Sequence, residues 1–427
     1  MKYDYIVLGC GPAGYTAAIN LKNYDNKILC IEKNKIGGEC LNYGCVPSKI
    51  FIEMSKKCNF NKKKNSKIIK CISNSMKIRL YSKGIKLIEN SEGVIHKKFV
   101  KVGKRKYFYR KLIVSTGSLP KETGFKIDNK KIFNNKTIFK IKKMPKSVVF
   151  IGCGVISLEL CFMFKNFGSE VFILEKKENI TEYLDKDIIM LLKNRMKKKK
   201  IYIYNNIKNI NIIKNNKKVC ISFIFKNFKK KIVSDILIIS IGRISNCVKN
   251  NIGIKLNDDG FIKVDENFLT NKKNVYAIGD AIGAPFLAYK AENDAIKLSE
   301  IINNNIRVKN NVIPNIIFSS PEISWVGKNE QSLKKRNNNT IMKFDLSNNF
   351  YAKMKGINFG LLKLIFNKKK ILIGAHLFFK NSQEIIFSLY LFINYKMKIF
   401  DIKNLYYIHP SIHESIKYLI LENEKIR

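Results

Sequence analysis

With 427 residues, 46% of them hydrophobic, the chain can bury a sizeable core and is no disordered tail; its length suits roughly two to four domains. Lys and Arg outnumber Asp and Glu by 80 to 33, a formal net charge of +47, which would ordinarily point to nucleic acid or a membrane surface. The lysines instead lie in short scattered runs, as at 62–64, 197–200 and 368–370, among abundant Asn and Ile. That is the mark of compositional bias, and no basic motif with interleaved aromatics announces a groove reader.

Ten cysteines in so long a chain, most of them in apolar runs or glycine loops, are not a disulfide framework and point to a reducing compartment. Cys10 and Cys153 read as loop residues, and Cys30, Cys161 and Cys220 as buried. Apolar strand residues begin at Tyr3, which leaves no room for a signal or transit peptide. No apolar run reaches the roughly eighteen residues of a membrane span. A soluble cytoplasmic protein is expected.

In chain order, the strand Tyr3 to Leu8 runs into Gly9-Cys10-Gly11-Pro12-Ala13-Gly14, then a helix, then a second strand from Lys27 to Ile31 ending at Glu32. This is a dinucleotide fingerprint in its required context. Gly9 makes the tight turn, Gly11 admits a pyrophosphate, Gly14 lets helix and strand approach, and Glu32 accepts from a ribose. Next comes Gly37 to Lys49, GGECLNYGCVPSK. Pro47 suits the first turn of a helix, so Cys45 lies at a helix N-terminus, where the dipole favours thiolate. Cys40 and Cys45 therefore read as a redox pair. The alternatives are a metal site, for which no further Cys or His lies nearby, or two thiols that never meet.

GGxCxNxGCxPxK resembles the active-site signature of the flavin-dependent pyridine nucleotide disulfide oxidoreductases. Leu41, and Ser48 before Lys49, are similar to its dihydrolipoamide dehydrogenase branch. The helix after Lys49 continues through Met54 into a Lys- and Asn-rich stretch with no assigned element, shorter than the family's equivalent. Ser115 to Pro120, with Gly117 at its turn, resembles the segment that returns the chain to the flavin.

Residues Val148 to Glu175 repeat the opening unit: strand, Gly152-Cys153-Gly154-Val155-Ile156-Ser157, helix, strand and acid, with the same interval from first glycine to acid. Two such units imply two nucleotides, one held and one exchanged. Ser157 replaces the third glycine and should push the helix slightly outward. Glu175 favours NAD, because a carboxylate accepts free ribose hydroxyls and repels a 2′-phosphate. Glu159 reads either as a first-turn acid favoured by the helix dipole or, by resemblance, as the partner of Lys49 beside the flavin.

Ile241-Gly242-Arg243 with Asn246 resembles the family's GRxPN, with Ser245 in place of proline and a looser turn expected. Asn274 to Asp280, NVYAIGD, resembles the second flavin motif, with Asp280 on a ribitol hydroxyl. Ala288 and Tyr289 follow in a stretch where the family often has His for Tyr289. From Pro314, Phe318 to Gly327 resembles the start of the dimerisation domain, continued by His376 and Glu384, with Lys380 in place of a proline. Of four histidines, His409 precedes Pro410 and stands five residues before Glu414, which matches the family's catalytic His-Pro with its later Glu. His376 reads as structural and His413 as solvated or packed.

The resemblance implies an α/β chain with two Rossmann-like dinucleotide-binding domains, for FAD and NAD, and a C-terminal α+β dimerisation domain. The expected segments are 1–121 and 244–312 for FAD, 122–243 for NAD and 313–427 for dimerisation. It implies a homodimer that reoxidises dihydrolipoamide on lipoyl domains of 2-oxo acid dehydrogenase complexes. Cys40 is then the exposed interchange sulfur, Cys45 the thiolate facing FAD, and His409 the partner subunit's base. No metal, membrane or specific nucleic acid enters. Two readings stand beside it: a glutathione- or mercuric-reductase-like enzyme, disfavoured by Glu175 and by an end, ENEKIR, without a cysteine pair, and a decayed basic binding protein that keeps the fold.

Overall fold

A computed structural model describes residues 1–22, 25–246, 249–304, 311–333 and 338–424. It divides into two units, Met1–Lys143 with Ile238–Lys309, and Met144–Leu237 with Asn310–Arg427.

The first unit is built on β1 (Lys2–Leu8), whose later residues are buried on both faces, as a central parallel strand requires. It runs parallel to β2 (Ile28–Ile31) on one side and to β6 (Arg105–Val114) on the other. The sheet ends in β3 (Lys86–Ile88) beyond β2, and Val275–Ala277 joins β6. α1 (Pro12–Lys22) and the helix Ala288–Asn304 share one core through small residues, Ala13, Ala17, Ala291 and Ala295 among them, so their axes can approach closely. β4 (Gly93–Ile95) and β5 (Phe99–Val102) continue the sheet antiparallel from the first half of β6.

The Lys- and Asn-rich stretch left unassigned by its sequence is a helix. After α2 (Gly38–Tyr43) and α3 (Cys45–Lys56), α4 runs from Lys62 to Ser82. Asn61 caps it by accepting from the Lys64 N–H at 3.0 Å. Asn65 and Leu80 are its buried positions, and Met76 packs on the first core. Lysines between these points dilute the apolar period below legibility.

In the second unit the strands Ser147–Ile151, Glu170–Leu174 and Ile201–Tyr204 are parallel neighbours. α5 (Val155–Asn166) is buried throughout Ser157 to Phe164, whereas α6 (Lys186–Lys198) buries only Ile188, Leu192 and Met196. A meander of Lys208–Lys214, Val219–Phe225 and Phe228–Ser234 follows. Cys220 lies on its outer side and is only partly buried, a correction to the sequence reading, because strand alternation turns it away from Val219 and Ile221. Cys10 and Cys153, read as loop residues, are both buried.

The C-terminal part is an antiparallel five-stranded sheet in the order Asn315–Ile317, Ile323–Gly327, Leu372–Phe378, Leu361–Phe366, Thr340–Asp345. Residues of the helices Ser382–Asn394 and Glu414–Glu424 share its core. The fold is thus mixed α/β, with two Rossmann-type units and a terminal α+β part. Among the described residues no helix is long and apolar enough to cross a membrane.

Candidate active site

The first loop is shaped by backbone crowding. Gly9 has φ +90°, and a Cβ there would stand 2.3 Å from the Ser115 carbonyl oxygen; one at Gly14 would meet the Gly9 carbonyl oxygen at 2.0 Å. Glu32 closes the loop: its carboxylate accepts from the Cys10 N–H at 2.7 Å and the Asn34 N–H at 2.8 Å. Burial pushes this carboxyl above its ordinary range, against the pull of the two N–H bonds. The second loop repeats the arrangement, Glu175 accepting from the Cys153 N–H at 2.7 Å and the Lys177 N–H at 2.9 Å. Where Gly14 stands in the first loop, Ser157 donates its hydroxyl to the Gly152 carbonyl at 2.6 Å. The hydroxyl thus satisfies the carbonyl that a side chain would otherwise strike.

Both loops fit a dinucleotide. Above Gly11 an added Cβ would meet only the Gly38 Cα, at 3.7 Å, and above Gly154 nothing within 4 Å. Gly154 caps α5 without a side chain, so no side-chain cap takes the first-turn N–H groups that bind phosphate.

Cys45 is the first residue of α3 with Gly44 as its cap, and Lys49 stands one turn later on the same face. Cys40 lies inside α2, and the structure holds the pair as thiols joined by a side-chain hydrogen bond. That bond, and then burial, push the Cys40 thiol far up; Glu292 adds to the effect. Tyr289 is pushed up to about 12, chiefly by burial and then by Cys45. The start of the helix that Ala288 opens is therefore beside the sulfurs. Cys40 is partly buried and Cys45 exposed in this chain: Cys40 sits inside α2, which packs on α3, while Cys45 begins α3.

A second layer was not legible in the sequence. Arg243 donates to Glu39 at 2.7 Å, to the Ser118 hydroxyl at 2.7 Å and to the Ser118 carbonyl at 2.9 Å. Ser118 in turn donates to Asp280 at 2.6 Å, whose carboxyl is raised by burial against the pull of Ser118 and Arg243. The neighbour of Cys40 is thereby tied to the Asp280 turn. The charge of Arg243 within a recognisable motif was the available signal; Glu39 and Ser118 carried none. Arg243–Ser245 and Ser118–Pro120 form a two-stranded ribbon, flanked by bonds from Lys121 N–H to Gly242 and from Asn246 N–H to Gly117. Ser245, where a looser turn was expected, pairs with Ser118.

In the second unit, His409 Nδ1 lies 2.9 Å from a Glu414 carboxylate oxygen. Glu414 also accepts from the Ser411 N–H and the Tyr418 hydroxyl. Burial alone would raise its carboxyl, but these bonds, that of His409 foremost, hold it below the usual range. The carboxylate keeps the proton on Nδ1 and leaves Nε2 as the basic nitrogen. The His409 side chain is 70% exposed, so it is available to a reactant. Glu159 accepts from the Phe318 N–H at 3.1 Å. His376 is buried with Nε2 on the Lys328 carbonyl, a structural position, and His413 lies 3.3 Å from the Ser388 hydroxyl.

The pyridine nucleotide-disulphide oxidoreductase family matches residues 3–295, and its dimerisation domain matches 313–420. The chain belongs to this family. A dihydrolipoyl dehydrogenase of Buchnera aphidicola subsp. Baizongia pistaciae is 31% identical, the match covering 96% of this chain and 94% of that one. Another, from Geobacillus stearothermophilus, is 30% identical over 97% and 94%. In fold the chain is similar to the HOCl-induced flavoprotein disulfide reductase RclA of Escherichia coli, in its Cu(II) complex, with a TM-score of 0.92, 22% identity and 99% of each chain covered. Membership makes the chain an oxidoreductase that works with FAD and NAD, and the two loops just described are the places that fit them.

Proposed function

We propose that the chain is an NAD-linked dihydrolipoyl dehydrogenase, active as a homodimer on lipoyl domains of 2-oxo acid dehydrogenase complexes in the cytoplasm. The observation that carries this reading is the Cys40–Cys45 contact at the start of α3, in a chain that matches dihydrolipoyl dehydrogenases almost end to end. Bound FAD would take an electron pair from the dithiol and pass it to NAD as hydride.

The chain's own residues do the rest. His409 of the partner subunit, its Nδ1 proton held by Glu414, takes a proton from one substrate thiol on Nε2. The thiolate attacks Cys40 of the oxidised pair, the Cys40–Cys45 bond breaks, and Cys45 leaves as a thiolate favoured by the helix N-terminus. The second substrate thiol then displaces Cys40 and gives it its proton, a lipoyl disulfide departs, and the first proton stays on His409 Nε2. Two electrons and one proton remain on the pair. By the family resemblance Lys49 and Glu159 would supply charge to the flavin, and Gly117, Gly242, Asp280 and Ala288 would help to hold it.

Anaerobic addition of dihydrolipoamide to the flavin-loaded protein tests this. A long-wavelength absorbance band from the Cys45 thiolate should rise and should vanish on adding NAD. Cys45→Ser should abolish it; a variant that kept the band would reverse the assignment of the two sulfurs. Reduction by glutathione or NADPH but not by dihydrolipoamide would overturn the substrate.

A further inference from the structure

The β4–β5–β6 ribbon turns outward a face on which rings and cations alternate. Cross-strand neighbours share a face, and the register sets Phe99 opposite Phe108 and Lys101 opposite Lys106. Both rings and both ammonium groups therefore stand on one side, while Val100 and Tyr107 are buried on the other. His96 extends the row, its ring stacked on Phe99 at 4.5 Å and 14°, and Phe99 meets Phe108 at 5.6 Å. The Tyr109 hydroxyl donates to the His96 carbonyl at 2.7 Å and fixes the turn that carries this ring. Phe108 remains 42% exposed. A hollow of about 420 Å³ opens against the three rings, with Lys97, Lys98 and Asn251 at its edge.

The charge around the row has one sign. Between Glu92 and Glu122 the sequence holds nine Lys or Arg and no Asp or Glu, and Glu92 itself is occupied by Lys33 and Lys249. A merely solvated basic face needs no file of rings, and an apolar partner would have to desolvate the ammonium groups without compensation. Flat π faces joined by regularly spaced anions satisfy both features at once. The sequence reading found no basic motif with interleaved aromatics; strand pairing assembles one from residues as far apart as His96 and Phe108.

We propose that this face binds single-stranded nucleic acid without sequence preference, stacking bases on His96 and Phe108, which Phe99 holds in place with the Lys106 ammonium over its ring, and neutralising phosphates with Lys101 and Lys106. The test is fluorescence anisotropy of an end-labelled oligouridylate of about a dozen nucleotides, titrated with the flavin-loaded full chain beside labelled heparin, a polyanion without bases. Phe99→Ala/Phe108→Ala should weaken oligouridylate binding about tenfold or more and leave heparin within about twofold. Lys101→Gln/Lys106→Gln should lower the slope of log K against log salt by about 1.4, at about 0.7 per phosphate. Should the double aromatic variant lose its fold, Phe108→Ala alone must still show a selective loss of about threefold or more. Equal losses for both ligands, or none for oligouridylate, would reduce the face to diffuse charge and overturn the proposal. So would an acidic lipoyl domain that binds more tightly than oligouridylate and loses affinity with Phe108→Ala.

Discussion

Lys363 in the C-terminal sheet is fully buried and places its ammonium 2.7 Å from Asp185, 2.6 Å from Asp187 and 2.6 Å from Glu330. Burial is the largest single influence and would raise all three carboxyls; Lys363, joined by two backbone N–H bonds at Asp185, by Lys343 at Asp187 and by Lys186 at Glu330, outweighs it, so all three lie below the usual range. Lys363→Met keeps most of the volume and removes the cation, leaving three carboxylate oxygens within 4.8 Å of one another. Breaking a buried pair from one side costs about 3–5 kcal/mol. Lys343, still 2.9 Å from Asp187, and Lys186, still paired with Glu330, offset part of this from the surface, so the lower end is expected. At about 2–4 °C per kcal/mol for a unit of this size, the melting temperature should fall by roughly 6–12 °C. The pH dependence should also invert. In the parent the depressed carboxyls contribute stability above their unfolded pKa, near 4, which is lost as pH falls through the folded values. In the variant the carboxylates repel, their folded pKa values rise, and the deficit is largest near pH 7 and shrinks toward pH 5. Calcium, which accepts several carboxylate oxygens, should restore part of the loss. Differential scanning calorimetry from pH 5 to 8, with and without calcium, reads all three effects. A variant melting within about 2 °C of the parent at pH 7, with unchanged pH dependence, would refute the reasoning.

Two further outcomes follow from the site. His409→Ala should slow thiol oxidation by roughly a hundredfold, and mixing it with Cys45→Ser under demonstrated subunit exchange should restore activity in heterodimers; exchange without recovery would mean that the base does not serve the other subunit. NAD should be strongly preferred to NADP in kcat/KM, and Glu175→Ser should lower the NAD value by about tenfold to a hundredfold through loss of a charged acceptor. Equal values in the parent would show that Lys176 and Lys177 override the carboxylate.

What the sequence made legible was local. Gly9, Gly14 and Glu32 could be read because their constraints act within one strand, loop and helix, and the same holds at Gly152 and Glu175. His409 and Glu414 lie five residues apart, close enough for one turn to join them. Arg243 with Glu39 spans 204 residues and Lys363 with Asp185 spans 178. No period or spacing encodes such pairs; they exist only once the sheets have set the register. α4 was hidden differently, its two buried positions lying among mostly exposed lysines. The relative exposure of Cys40 and Cys45 depended on Cys40 entering a helix of its own, α2, which a five-residue spacing does not announce.

The two nucleotide loops share their hydrogen bonds but not their surroundings, and that difference supports the proposal that the first holds FAD and the second NAD. After Glu32 the chain folds back: Gly37 N–H donates to the Cys10 carbonyl at 2.8 Å, Gly38 comes to rest over Gly11, and α2 with Cys40 begins there. Glu32 is consequently only 6% exposed. After Glu175 the chain stays outside, with Lys176 to Asn179 exposed and the Lys177 carbonyl taken by Asn206. A dinucleotide on the first loop would be enclosed by the very segment that carries the dithiol, which suits a resident flavin that must remain beside the sulfurs. One on the second loop would meet no such cover, so it can leave after each turnover, as a cofactor that carries electrons away has to do.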